Sequence, residues 1–230
     1  MRPIGFSTGA LAKGDFARGL DAQRGVARID AVELSALRDH ELPPFAAAVR
    51  ALDLGAFTYV SVHAPSRLQT LDEATVFELL RGLPESWPIV VHPELLRTPP
   101  LWRSLGERLC LENMDNRKTT GRTFDEIRAL FAEFPRATFC LDVGHARQID
   151  PTMATAIRMA RELGGRLRQV HVSDVGPRGE HFPVGALARR AFARIARHVP
   201  ESCPLIIESV IPPEQIEHEL AAVAGAFGAG

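Results

Sequence analysis

Short apolar runs, most of them closed by a polar residue, recur along this chain about 20 to 37 residues apart. Eight of them read as strands: residues 3–8, 31–34, 57–63, 88–92, 108–112, 138–142, 167–173 and 204–208. Several are apolar throughout instead of alternating, as expected of parallel strands covered on both faces. The segments between them carry helical periodicity. Residues 43–52 are alanine-rich behind a Pro43-Pro44 pair suited to a first helical turn. Residues 72–81 place Val76, Phe77, Leu79 and Leu80 on one side, and 123–134 open with Thr123 and, three residues later, Glu126, a capping-box pattern. Further helices are predicted over 152–163, 187–198 and 213–227. The link from His92 to Glu112 is the shortest, which predicts a stunted helix near 100–106. The glycine- and alanine-rich end, 225–230, is expected to fray.

Strand and helix alternating eight times admits a closed (β/α)8 barrel or an open doubly wound sheet. An open sheet usually shows a glycine-rich phosphate turn after its first strand. Here that strand runs into Ser7-Thr8-Gly9-Ala10, which is no such turn. The closing residues decide between the two. Six runs end on a metal-binding side chain: His63, His92, Glu112, Asp142, His171 and Glu208. A strand–helix–strand unit takes about 30 residues, so the spacing predicts that these six stand at the same end of successive parallel strands. Only closure brings such ends to one place. The reading is therefore α/β, a single TIM-barrel domain spanning 1–230, compact and with short loops; about 250 residues is usual for the fold.

Glu112, Asp142, His171 and Glu208 combine three carboxylates with one imidazole, a donor set suited to Mn²⁺, Zn²⁺, Mg²⁺ or Fe²⁺. His63 and His92, sharing Glu112, suggest a second site. His145 follows Asp142 by three residues and His181 lies in the loop after the seventh strand; both are candidate ligands, which gives one to three ions. His145 is also a candidate for substrate contact, as is Arg178 toward a phosphate or carboxylate. Asp174 is a candidate to orient His171 or to meet substrate. His40, His198 and His218 are expected at the surface.

Bulk properties narrow the partners. A hydrophobic fraction of 46% supports a large core. The net charge of −1 supplies no general field for nucleic acid, so nucleic acid is an unlikely partner. Arginine outnumbers lysine heavily, Lys13 and Lys118 being the only lysines. Cys110, Cys140 and Cys203 share no metal-binding spacing and read as buried thiols in a reducing compartment. No apolar stretch suits a signal peptide or a membrane span, so a cytoplasmic protein is expected. Oligomeric state is not legible in the residues.

The motifs Val62-His63-Ala64-Pro65, Val91-His92-Pro93, Leu111-Glu112-Asn113, Leu141-Asp142-Val143-Gly144-His145, Val170-His171-Val172-Ser173-Asp174, His181-Phe182-Pro183-Val184-Gly185 and Ile207-Glu208-Ser209, in this order, resemble the xylose-isomerase-like TIM-barrel superfamily. That superfamily includes sugar isomerases and epimerases and endonuclease IV. The isomerase and epimerase branch implies one divalent ion on Glu112, Asp142, His171 and Glu208. Glu112 and Glu208 would be the acid/base pair and His145 would lie near the oxygens of a small sugar-like substrate. Catalysis would be proton transfer beside a polarised carbonyl. The endonuclease IV branch implies a second ion on His63, His92 and Glu112, and a third on His145, His181 and an aspartate two residues before His181. Gly179 stands at that place, and Glu180 is the nearest substitute. A metal-dependent dehydratase or lyase is a further alternative. The residues after the third strand, Ser66-Arg67-Leu68, carry no aromatic wedge of the kind a base-flipping enzyme needs.

Overall fold

The eight apolar runs form eight parallel strands in the computed structural model, which describes residues 2–228. They are β1 (Ile4–Ser7), β2 (Ala31–Ser35), β3 (Tyr59–His63), β4 (Ile89–Val91), β5 (Leu109–Glu112), β6 (Thr138–Asp142) and β7 (Leu167–Val172). An antiparallel pair, β8 (Asp174–Val175) and β9 (His181–Phe182), intervenes before the last barrel strand, β10 (Leu205–Ile207). The strands follow one another around a closed barrel, and β10 pairs with both β7 and β1. All eight C-terminal ends therefore open on one mouth.

Side chains alternate across each strand. On β5 to β7, Leu109, Leu111, Phe139, Leu141, Val170 and Val172 join the main core between sheet and helices. The residues between them, Cys110, Glu112, Cys140, Asp142, Gln169 and His171, point into the barrel. There Val90, Cys110 and Cys140 make a small apolar cluster separate from the main core. All three cysteines are free and buried. The strands look uniformly apolar where small thiols fill inward places.

The helical ring is α1 (Thr8–Ala12), α2 (Phe16–Gln23), α3 (Leu42–Ala48), α4 (Glu73–Arg81), α5 (Pro99–Arg103), α6 (Phe124–Glu133), α7 (Val143–Ile149), α8 (Ala154–Glu162), α9 (Ala186–Ala196) and α10 (Ile216–Ala226). The stunted helix is α5, only five residues long. The predicted capping box opens α6, with Thr123 accepting from the Glu126 N–H. Asp72 caps α4 in the same manner, accepting from the Thr75 N–H at 2.7 Å. The helix expected over 43–52 ends at Ala48 and continues as a tight 3₁₀ turn, Val49–Ala51. Sequence periodicity missed α1, α2 and α7, which are too short to show it. Of the tail expected to fray, Gly225 and Ala226 finish α10, and Ala229 and Gly230 lie outside the described residues, as does Met1. Among the described residues no helix is long and apolar enough to cross a membrane.

Candidate metal centre

All six strand-end residues converge at the floor of a cavity of about 760 Å³ in the barrel mouth, and His63, His92, Glu112 and Glu208 line it directly. Glu112 sits at the middle. Its Oε2 lies 3.2 Å from His63 Nε2 and 3.2 Å from His92 Nε2. Its Oε1 lies 3.3 Å from His171 Nδ1 and 3.4 Å from His145 Nδ1. Glu208 Oε2 is 3.4 Å from His171 Nδ1 and 3.5 Å from His181 Nδ1. Asp142 does two things at once. Its Oδ1 accepts from the His145 N–H at 2.7 Å, capping α7, while its Oδ2 is buried without a hydrogen-bond partner.

Three groups have donor atoms within 4.8 Å of one another: His63–His92–Glu112, Glu112–Asp142–His171–Glu208, and Glu33–His63–Glu208. These fit a metal ion on physical grounds. At zinc-like bond lengths of about 2.0–2.2 Å, neighbouring ligand atoms stand about 3.0–3.5 Å apart, which matches the spacings above. Asp142 Oδ2, without a hydrogen-bond partner and 3.3 Å from His145 Nδ1, is a free donor for a cation. One ring orientation also suits ligation. His63 Nδ1 lies 2.6 Å from the Ala64 carbonyl oxygen, which can only accept, so Nδ1 carries the proton and Nε2 is directed at the centre. His145 Nδ1 is also turned to a carbonyl, that of Asn113 at 2.9 Å, but its Nε2 faces Asp115 Oδ2 at 3.8 Å and not the centre.

Electrostatics agree with a centre awaiting positive charge. Burial pushes the Glu208 carboxyl up to about 7, and the carboxylates of Glu112, Asp142 and Glu33 add to this against the opposing His171. Burial also raises Asp142. Burial opposes charge on His63, yet the Glu112 hydrogen bond and charge outweigh it and raise the imidazole to about 9. Burial lowers His92 to about 4 and His181 to about 3. For Glu112, burial favours the neutral form, but the surrounding imidazoles hold it well below the carboxylate range.

Other expected site residues are placed differently. His145 and His181 stack edge to face with ring centroids 5.5 Å apart, but neither joins a group of three ligand atoms among the described residues. His181 Nδ1 is held by Ser173 Oγ at 3.0 Å. At Gly179, with φ +75°, a Cβ would come within 2.0 Å of the Arg117 guanidinium, which pairs with Asp115. The space that a third-site carboxylate would need is thus filled by an arginine. Asp174 does not orient His171; it pairs with Arg147 across the loop. Arg178 lies outside the cavity and pairs with its neighbour Glu180 at 2.7 Å. His40 and His218 are exposed and His198 half-buried.

What orients His171 is Glu33, a residue that strand-end reasoning passed over. Glu33 Oε2 lies 3.1 Å from His171 Nε2 and accepts from Ser61 Oγ at 3.1 Å and Gln169 Nε2 at 2.7 Å. Tyr59 donates to Gln169 Oε1 at 2.7 Å, extending the polar chain down the barrel. A carboxylate and an amide inside apolar strands were the available signal, because such groups are seldom buried without partners.

Comparison with known proteins places this geometry. A family model described as xylose isomerase-like TIM barrel matches residues 45–224. Solved structures similar to this chain include an AP endonuclease, family 2, from Brucella melitensis, with 15% identity over 97% of this chain and 98% of that one, at a TM-score of 0.61. The IolI protein with a bound zinc atom is 15% identical over 100% and 99% of the two chains, TM-score 0.58. A protein provisionally assigned as a sugar phosphate isomerase/epimerase, from Anabaena variabilis, is 15% identical over 96% and 88%, TM-score 0.57. At these identities the likeness is one of fold. No curated protein gives a significant match.

Proposed function

The chain belongs to the xylose isomerase-like TIM-barrel family, and within it we propose a divalent-metal-dependent enzyme that moves a proton next to the carbonyl of a small polyol-like or keto-sugar substrate. The observation that carries this reading is the convergence of Glu112, Asp142, His171 and Glu208 at the floor of a cavity sized for a small molecule. These four would hold the ion. A divalent cation there supplies Lewis acidity to a substrate carbonyl. Glu208, with a side chain 12% exposed, is the carboxylate best placed to take a proton from the adjacent carbon and return it. Glu112 is enclosed by imidazoles and stays ionised, holding the ligand shell together. The His145 ring, with Nε2 free of the Asn113 contact, is available to a substrate oxygen.

A second reading rests on the His63–His92–Glu112 group, which shares Glu112 with the first and suits a dinuclear phosphoester hydrolase. The small cavity and the Arg117-filled space at Gly179 weigh against an endonuclease. One experiment separates the two readings. Metal-loaded protein is incubated with a panel of ketoses and ketose phosphates in D₂O. Deuterium should enter at the carbon beside the carbonyl with wild type and not with Glu208→Gln. No uptake across the panel, with two or more ions per chain and hydrolysis of bis-p-nitrophenyl phosphate, would replace the lead by the hydrolase.

A further inference from the structure

The rim of the cavity is electrically lopsided. Outside the metal-ligating groups, its carboxylates are Glu41, Glu94 and Asp115, and each is matched by a cation: Arg38 at 3.2 Å, Lys118 at 3.0 Å, and Arg117. Three cations remain. Lys13, Arg67 and Arg97 line the same cavity, are exposed, and make no side-chain hydrogen bond or ion pair within the described residues. They stand on the loops after β1, β3 and β4, so they occupy one arc of the mouth. The loops after β6, β7 and β10, which continue round the mouth on the other side of β1, contribute His145, His181 and Val210 and no cation. Two exposed large apolar side chains, Phe182 and Val210, stand on these loops. With a chain net charge of −1, this arc is a local arrangement and not a general basicity. Lys13 also holds a left-handed backbone, φ 33°, where a side chain costs about 1–2 kcal/mol relative to the right-handed form. It is followed by Gly14 at φ 95°, and together they turn the chain at the rim.

We propose that the arc of Lys13, Arg67 and Arg97 receives an anionic group of the substrate, a phosphate monoester, and so fixes which end of the molecule reaches Glu208. This rests on the mouth being the active site, as argued above. Several positive charges on one arc favour a dianion over a monovalent carboxylate, and guanidinium groups match phosphate oxygens. The cavity volume limits the ligand to a small molecule. The substrate is thus a phosphorylated keto-sugar or polyol, its phosphate on the β1–β4 side.

The test uses metal-free, full-length protein titrated with inorganic phosphate by calorimetry at low salt. The floor is common to wild type and the rim variants, so the difference between them reports the rim. Wild type should bind saturably, and binding should weaken as NaCl is raised. Lys13→Asn/Arg67→Gln/Arg97→Gln should bind at least tenfold more weakly, Asn being chosen because it tolerates the left-handed backbone. The triple variant should take up the same number of zinc ions as wild type. The charge-retaining Arg67→Lys/Arg97→Lys protein should keep most of the affinity. Failure of wild type to bind phosphate, or equal affinity in the triple variant, overturns the proposal. Acetate bound as tightly as phosphate would overturn the phosphate assignment, and a short DNA duplex bound more tightly would overturn the small-molecule assignment. Phosphate binding of the expected pattern without deuterium exchange would sink the proton-transfer reading alone.

Discussion

Replacing Glu33 by glutamine tests whether the polar interior beneath the centre is part of its machinery. Glu33 is fully buried at the middle of β2. One carboxylate oxygen faces His171 Nε2 at 3.1 Å and accepts from Ser61 and Gln169; the other has no partner. His171 Nε2 thus faces Glu33 and also lies 2.7 Å from the Gln169 amide nitrogen, while Nδ1 is directed at Glu112 and Glu208. Removing such a carboxylate from behind a metal-binding histidine costs about 10–100-fold in affinity. At about 1.4 kcal/mol per tenfold, this is about 1.4–2.8 kcal/mol. The upper half of that range is expected here, because an amide in place of Glu33 also deprives Gln169 and Ser61 of a charged acceptor, which disturbs the neighbours of His171 as well.

The assay is competitive titration of Zn²⁺ against a chromophoric chelator, run beside Asp142→Asn. Asp142 offers its oxygen directly, so its loss should weaken binding more than Glu33→Gln. The metal-free protein should melt below wild type, since the imidazole and amide partners hold Glu33 ionised despite its burial and lose that charge; affinity is therefore compared below the melting transition of the variant. Affinity within threefold of wild type would refute the orienting role. A loss equal to that of Asp142→Asn would refute it in the other direction and make Glu33 a ligand, with His63 and Glu208 beside it.

Three further outcomes follow from the structure. Asp39 accepts from the backbone N–H groups of Gln69, Thr70 and Leu71 and from the Thr70 hydroxyl, tying the loop after β2 to the loop after β3. Asp39→Ala should cost about 3 kcal/mol, a fall in Tm of about 6–12 °C, and unchanged melting would refute the clamp. Burial opposes ionisation of Asp39, but these hydrogen bonds hold its carboxyl well below the usual range, so its contribution is present above about pH 4 and is lost as pH falls further; the alanine variant should lack that part of the acid sensitivity. Trp102 is fully buried, meets Phe77 edge to face at 5.6 Å, and donates to Glu73 at 2.7 Å. Trp102→Ala should destabilise by about 3–5 kcal/mol in urea unfolding, and Trp102→Phe by about 1–2 kcal/mol. Finally, His63 in metal-free protein is protonated up to about pH 9, above its unfolded value near 6.5. Its contribution to metal-free stability is therefore complete below pH 6.5 and fades toward pH 9. Zinc bound at His63 must displace that proton, so affinity should rise over the same window, with proton release visible by calorimetry in buffers of different ionisation enthalpy. Affinity independent of pH there would show that no ion sits on His63.

Much of the barrel was legible because parallel strands buried on both faces leave a run of apolar residues that helices cannot imitate over so short a length. The strand ends were legible for a related reason. A His, Asp or Glu directly after such a run has a defined height and direction, which a loop residue lacks. Asp174 and Arg178 show the contrast. They lie in the β7–α9 loop, where proximity in sequence to His171 and His181 says nothing about direction, and each found a nearby opposite charge instead. The helices α1, α2 and α7 escaped notice through brevity. Gly19 weakens the helical signal of α2, and its missing Cβ is explained by Thr8, whose carbonyl oxygen a Cβ would approach to 2.5 Å.

Glu33 and its partners were missed although the same alternation that located the ligands contains them. Strand residues two apart share a face. Stepping back two places from each strand-end ligand gives Ser61, Val90, Cys110, Cys140, Gln169 and Ile206, the layer directly beneath the centre. Three of these form the separate inner apolar cluster. The two polar ones, Ser61 and Gln169, both hydrogen-bond to Glu33. Glu33 itself stands two places before Ser35, the inward residue that ends β2. The barrel interior is therefore built in two tiers on one periodicity, ligands above and their supports below. Polar residues in the lower tier are costly unless they serve the upper one. Burial of Glu33, Ser61 and Gln169 where branched apolar side chains usually fill a barrel ties their identity to the orientation of His171 at the candidate metal centre.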